Sequence, residues 1–348
     1  MSKCEVWFEF DQAERNYLPG ETISGMVHVR VNKDCVCTKI FLRMAWRTHG
    51  KGNRNTGGKQ EFAFVENATL TAGEDHRFPF MFSAPNGPLS YHGELVNIDW
   101  YLTASVDIPW ARDPKAEEEF VLTGTGFAEE PLPELADEIE ILSGPDAAGT
   151  QAPRKKSRKF GLLLVLAALA VFAGTAFMIF TGKGSPAFGF LPFMVIAVLV
   201  VGGIVASIWF AKKAAQKVGD CDIQIARPHL RPGEIAFCEV CIAPPKPEVI
   251  GGVTCILRGR EVAVSGSGTK KNTYRRTFHE QRQRLPGPFL TDPFQEIAAT
   301  FAMRVPADAP TTFIQSSNKV LWELETVVEI HQWPDHHKKE TLRVAVNP

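Results

Sequence analysis

The chain has almost no net charge, no dense cysteine framework and no motif for phosphate or acid–base chemistry, and each absence removes a class of function. With 38 Lys and Arg against 39 Asp and Glu in 348 residues, the formal net charge is −1. That balance creates no field to attract nucleic acid, which is not expected as a partner. Seven cysteines, an odd number without regular spacing, do not make a disulfide scaffold and are expected as reduced thiols. Residues 1–10 have neither the basic nor the long apolar region of a cleaved signal peptide. No Gly-rich phosphate loop, paired-carboxylate site or Ser–His–Asp arrangement stands out, so neither an enzyme nor a cofactor is expected. Between residues 6 and 127 there is also no amphipathic stretch of helical length.

What is present begins with apolar runs. Residues 160–180 and 187–211 carry no charge. At about 1.5 Å per residue each can cross a hydrocarbon core of roughly 30 Å. They predict transmembrane helices over 160–180 and 188–210, joined by a turn at Gly182, Gly184 and Pro186 into one hairpin spanning 160–211. Arg154, Lys155, Lys156, Arg158 and Lys159 precede the pair and Lys212, Lys213 and Lys217 follow it, whereas the turn has only Lys183. This bias predicts an integral membrane protein with two spans and both termini cytoplasmic. The mean hydropathy of −0.08 requires the remainder to be ordinary water-facing protein.

On either side of these runs the texture is β. Val27, Val29 and Val31 alternate with His28 and Arg30, and further alternating segments over 6–10, 36–47, 61–65, 68–71, 76–82, 96–108 and 118–122 are divided by Pro, Gly and Asn turns. Short strands at this spacing suggest an antiparallel sandwich over 1–127. Residues 128–159 form an acidic linker, with Glu129, Glu130, Glu134, Asp137, Glu138 and Glu140 among prolines, ending in the basic cluster. Residues 219–348 are β again and repeat the first segment. Cys4-Glu-Val-Trp-Phe returns as Cys221-Asp-Ile-Gln-Ile, Leu18-Pro-Gly-Glu21 as Arg231-Pro-Gly-Glu234, and Ile40-Phe-Leu-Arg43 as Cys255-Ile-Leu-Arg258. Phe80-Met-Phe-Ser-Ala-Pro85 matches Phe301-Ala-Met-Arg-Val-Pro306, and the strand around Trp100 matches the one around Trp322. Five blocks in one order describe two copies of one β domain.

The Pro-Gly-Glu turn opening a long strand, followed by Pro88-Leu-Ser-Tyr-His-Gly93 and then Ile98-Asp-Trp-Tyr-Leu, resembles the arrestin-fold family. The second copy keeps Pro-Gly-Glu but has Thr312-Phe-Ile-Gln in place of Ser-Tyr-x-Gly. The resemblance implies two tandem immunoglobulin-like sandwiches and a non-catalytic binding scaffold. A Pro-Pro-x-Tyr motif and a clathrin-binding box are both missing. The expectation is a mainly β, membrane-anchored adaptor for membrane or cytoplasmic proteins. A membrane sensor of a metal ion or lipid headgroup, or an accessory subunit docked through its helices, is the alternative.

Candidate residues follow from this. Pro19 and Gly20, like Pro232 and Gly233, fit the two corners of a type II turn and are structural. Cys238 and Cys241 have CxxC spacing, but on a strand they point to opposite faces. His336 and His337 beside Asp335 could ligate a transition metal. Arg47, Lys51 and Arg54 in the first copy and Lys270, Lys271, Arg275 and Arg276 in the second are hairpin cations suited to a headgroup or an acidic partner. Trp100 and Trp322 read as core aromatics.

Overall fold

The computed structural model describes residues 2–124, 191–291 and 297–346. Its first half has nine strands: β1 Cys4–Phe10, β2 Asn16–Tyr17, β3 Thr22–Val31, β4 Cys35–Gly50, β5 Thr56–Leu70, β6 Asp75–Ser83, β7 Tyr91–His92, β8 Val96–Asp107 and β9 Lys115–Leu122. Helix α1, Leu191–Val218, comes next. The second half has β10 Asp220–Ile225, β11 His229–Leu230, β12 Ile235–Ala243, β13 Val249–Ser265, β14 Asn272–Leu290, β15 Ile297–Arg304, β16 Phe313–Ile314, β17 Asn318–Ile330 and β18 His336–Val344. The segments expected over 61–65 and 68–71 are one strand, β5.

Each half builds a three-stranded and a six-stranded sheet. The orders are β1-β3-β6 with β2-β9-β8-β4-β5, and β10-β12-β15 with β11-β18-β17-β13-β14; β7 adds to β8, and β16 to β17. Every strand of the first half thus has its counterpart nine strands later. Alternation explains the faces. On β8, Val96, Ile98, Trp100, Leu102, Ala104 and Val106 point inward, where each is at most 2% exposed, and they meet Val27 and Val29 of the facing sheet. Trp100 Nε1 donates to Pro88 O at 2.7 Å, and Trp322 Nε1 to Pro310 O at 2.9 Å. Both indoles are therefore core residues with a satisfied polar end.

The two Pro-Gly turns are also equivalent. Gly20 (φ 82°) and Gly233 (φ 86°) occupy the positive-φ corner. Glu21 N donates to Leu18 O, and Glu234 N to Arg231 O, while each Glu side chain accepts the N–H of the turn's first residue at 2.8 Å. The Pro-Gly-Glu sequence is thereby explained as a self-capped turn.

The expected membrane architecture is overturned. Among the described residues there is one α-helix, and no helix is long and apolar enough to cross a membrane. The two-helix transmembrane hairpin, the integral two-span location and the cytoplasmic placement of the termini derived from it fall together. The acidic linker and the first expected span, 160–180, lie outside the described residues. The physical reason is visible in α1, which changes character along its length. Val200, Ile204, Val205 and Ile208 are apolar and exposed, but the helix continues past the uncharged run into Lys212, Lys213 and Lys217. There Ala214 and Val218 are buried in the second core, Phe210 packs near Trp333 at 6.0 Å, and Lys217 pairs with Glu248. Its last turns belong to the second β half.

Candidate functional site

The strongest convergence of polar and apolar groups from distant parts of the chain is the seam between the two halves. Ala263, Phe313 and Val320 of the second half join the first half's core, and Phe313 meets Trp46 edge-on at 5.3 Å. Polar contacts surround this patch. Asn53 and Gly266, 213 residues apart, form a two-way clasp: Asn53 Nδ2 donates to Gly266 O at 2.9 Å and Gly266 N to Asn53 Oδ1 at 3.1 Å. Buried Asn318 Nδ2, with two N–H groups, has three acceptors within reach: Thr48 Oγ1 at 2.9 Å, Asn53 O at 2.7 Å and Asn55 Oδ1 at 2.9 Å.

On the other side of the seam Glu261 is fully buried. Its carboxylate accepts Tyr91 OH at 2.9 Å and Leu95 N–H at 3.1 Å, both from the opposite half. Burial and then this hydrogen bond push the Tyr91 phenol upward, so it stays a donor. A Cβ on Gly93 would fall 1.5 Å from Glu261 Oε1. The Ser-Tyr-x-Gly motif therefore has a direct meaning: Tyr supplies the donor, and Gly leaves space for the partner half's carboxylate. Glu94 extends the contact by pairing with Arg276 at 2.7 Å. Beside it lies a cleft of ≈ 490 Å³ lined by Leu89, Tyr91 and Ile98 from one half and by Pro232, Asp308 and Pro310 from the other.

The hairpin cations are only partly gathered here. The clasp brings the loop carrying Lys51 and Arg54 against the loop carrying Lys270 and Lys271, and all four are exposed, as is Arg275. Arg276 is engaged at the seam. Arg47 is elsewhere, forking onto Glu117 with two 2.6 Å bonds and lying over the Tyr101 ring at 4.6 Å. That hydrogen bond holds the Glu117 carboxyl below its usual value. Pro19 and Gly20 lie in the first turn, away from these loops, whereas Pro232 reaches the cleft wall.

The cysteine and histidine candidates do not converge. Cys238 faces Cys255 across the second core, with the sulfurs 3.4 Å apart, while Cys241 is buried three positions further along β12. Cys4 and Cys35 form a separate close pair, at other positions of the repeat, with sulfurs 3.8 Å apart in the first core. Burial, then Cys35, pushes the Cys4 thiol up to about 12; the bond to Cys238, then burial, raises Cys255 further. Such thiols stay protonated and unreactive. His336 and His337 are successive residues of β18 and point to opposite sides of the sheet. His337 Nδ1 lies 3.2 Å from Glu325 Oε1, and burial lowers the His336 pKa.

Sequence reasoning missed Glu261, Asn318 and Asp99. Each is a polar residue inside an apolar alternation, and the signal was there: a buried carboxylate or amide in such a place needs a partner from outside its own sheet face.

No known protein family matches the chain, and no curated protein does. Among solved structures it is similar to Spo0M, the sporulation control protein from Bacillus subtilis, at 21% identity and a TM-score of 0.32 over 36% of this chain. The match spans about half (51%) of that protein.

Proposed function

We propose that this protein is a non-catalytic, arrestin-like scaffold that binds acidic segments of partner proteins at the seam between its two sandwiches. The observation that carries the reading is the Asn53–Gly266 clasp. It joins the loop that carries Lys51 and Arg54 to the loop that carries Lys270 and Lys271, cations that belong to different copies of the repeat. Exposed cations on adjoining loops attract and orient an acidic partner. The neighbouring cleft offers apolar wall for the partner's side chains. Duplicated sandwiches with self-capped turns and indole anchors form a stable frame for such a surface.

The test is crosslinking in intact cells followed by identification of what co-purifies with the full chain. Three forms are compared: the unaltered protein, Lys51→Glu/Arg54→Glu/Lys270→Glu/Lys271→Glu, and a control reversal, Lys33→Glu/Lys115→Glu, on exposed cations of other loops and strands. Partners that disappear only with the fourfold reversal, and whose recovery falls as salt rises, support the surface. Equal recovery in all three forms would sink it.

A further inference from the structure

A second polar cluster lies on the outer face of the first six-stranded sheet, and neither the seam nor the fold accounts for it. We propose that His92, Asp99 and Glu119, backed by His49, form a binding site for one divalent transition-metal ion of the zinc class. This goes beyond the scaffold reading and does not depend on it.

The geometry starts from Asp99. Its side chain is only 9% exposed although it points away from the core, between core residues Ile98 and Trp100. Burying a carboxylate is costly unless charge or hydrogen bonds compensate. No lysine or arginine pairs with it among the described residues; its two oxygens face two imidazoles. His92 Nε2 is 3.0 Å from Oδ1, and His49 Nε2 is 3.6 Å from Oδ2. One donor atom each from His92, Asp99 and Glu119 lies within 4.8 Å of the others. Four-coordinate zinc with bonds of about 2.1 Å sets its ligand atoms about 3.4 Å apart. His92 and Glu119 are both exposed and can swing that short distance onto the fixed Asp99. His49, whose Nε2 also lies 3.0 Å from Tyr101 OH, is the fourth ligand or its hydrogen-bonded support.

The donor set selects the ion class. Imidazole with carboxylate suits zinc and its neighbours, whereas magnesium and calcium prefer all-oxygen shells. For His92 to ligate through Nε2, the neutral ring carries its one proton on Nδ1, so the metal takes the place of the Nε2–Asp99 contact.

The second sandwich provides an internal control. Trp100 and Trp322 occupy equivalent places, opposite Trp46 and Gly259. Following the registers outward, His49, His92, Asp99 and Glu119 correspond to Val262, Ile314, Leu321 and Thr341. The same sheet position is built from three apolar side chains and a threonine in one copy and from four potential metal ligands in the other. The fold itself does not demand the polar set. Because β7 also carries Tyr91, which reaches Glu261, an ion joining β7 to β8 and β9 would steady the first half's side of the seam.

The test is calorimetric titration of the full, chelator-stripped chain with ZnCl2 at pH 7, with MgCl2 as comparison. The expected result is one zinc per chain with a Kd in the micromolar range or tighter, little response to magnesium, and a zinc-dependent rise in Tm. Asp99→Asn, His92→Ala and Glu119→Gln are each expected to weaken zinc by about 10-fold or more. The double variant His336→Gln/His337→Gln and Cys238→Ser should bind as the unaltered chain does. His92 and Glu119 are exposed, so their variants keep the test valid if Asp99→Asn fails to fold. Absence of stoichiometric zinc binding overturns the site. So does binding that survives both His92→Ala and Glu119→Gln, or that is lost with the His336/His337 variant.

Discussion

Residues 4–122 and 220–344 follow one route strand for strand, yet the same positions carry different chemistry in two places. On the outer sheet face, His92, Asp99 and Glu119 in the first copy stand where Ile314, Leu321 and Thr341 stand in the second. At the seam, Thr48 of the first copy occupies the place of Glu261, and Gly93 that of Gln315. The last equivalence is marked by matching bonds, Gly93 N to Val96 O and Gln315 N to Asn318 O, both 3.0 Å. Inside the sandwiches the copies agree, with a tryptophan tied to a proline carbonyl in each. Packing density restricts inward positions, whereas outward and seam positions are free to specialise. Divergence between the copies is therefore a guide to function within a single chain.

The largest expected effect tests the shared part of that comparison. Trp100→Ala and Trp322→Ala each remove a fully buried indole and its bond to a proline carbonyl. Both should destabilise by about 3–5 kcal/mol in denaturant unfolding. A loss under about 1 kcal/mol at either position would mean that the two indoles are not equivalent anchors.

The divergent part is tested by a matched pair at the seam. Gly93→Ala drives a methyl into the Glu261 carboxylate and should cost about 1–3 kcal/mol by overpacking and lost hydrogen bonds. Gln315→Ala at the equivalent place should stay within about 0.5 kcal/mol. Similar losses from both would show that the Glu261 pocket does not set the requirement for glycine.

The smallest effect sharpens the comparison electrostatically. Glu117 bonds Arg47 in the first copy, while the second copy has Lys339 at that strand position. The folded-state pKa of Glu117 is lowered from 4.5, so its contribution is present above that value and disappears as pH falls through the folded pKa. For a partly exposed pair the contribution is no more than about 1 kcal/mol. Urea midpoints of the unaltered protein and Glu117→Gln should differ near pH 6 and converge towards pH 3. A gap that stays constant over this range would rule out ionisation of Glu117 as its source.

Much of the frame could be read from residue order. The strands, the Pro-Gly-Glu turns, the repeat and the core tryptophans all follow from period-two alternation and from the φ preferences of proline and glycine. Continuity was harder to see: the strands expected over 61–65 and 68–71 are one, β5, although Asn67 within it takes a positive φ (49°). Hydropathy misled at α1. An uncharged run measures the apolar character of a segment but not where its helix stops, and α1 runs on into charged turns that dock on Trp333 and Glu248. The hairpin cations were found by composition, but only the clasp separates Lys51, Arg54, Lys270 and Lys271 from Arg47, which is held by Glu117.

By itself the sequence determined which residues face inward, where the chain turns, and that one β unit occurs twice, because these depend on local periodicity and backbone sterics. Tertiary structure decided which polar residues meet. Glu261 finds Tyr91 170 residues away, Asn318 finds Thr48 270 residues away, and Asp99 gathers two histidines from neighbouring strands. Such meetings depend on sheet register and on how the halves dock, and no pattern confined to one segment encodes either.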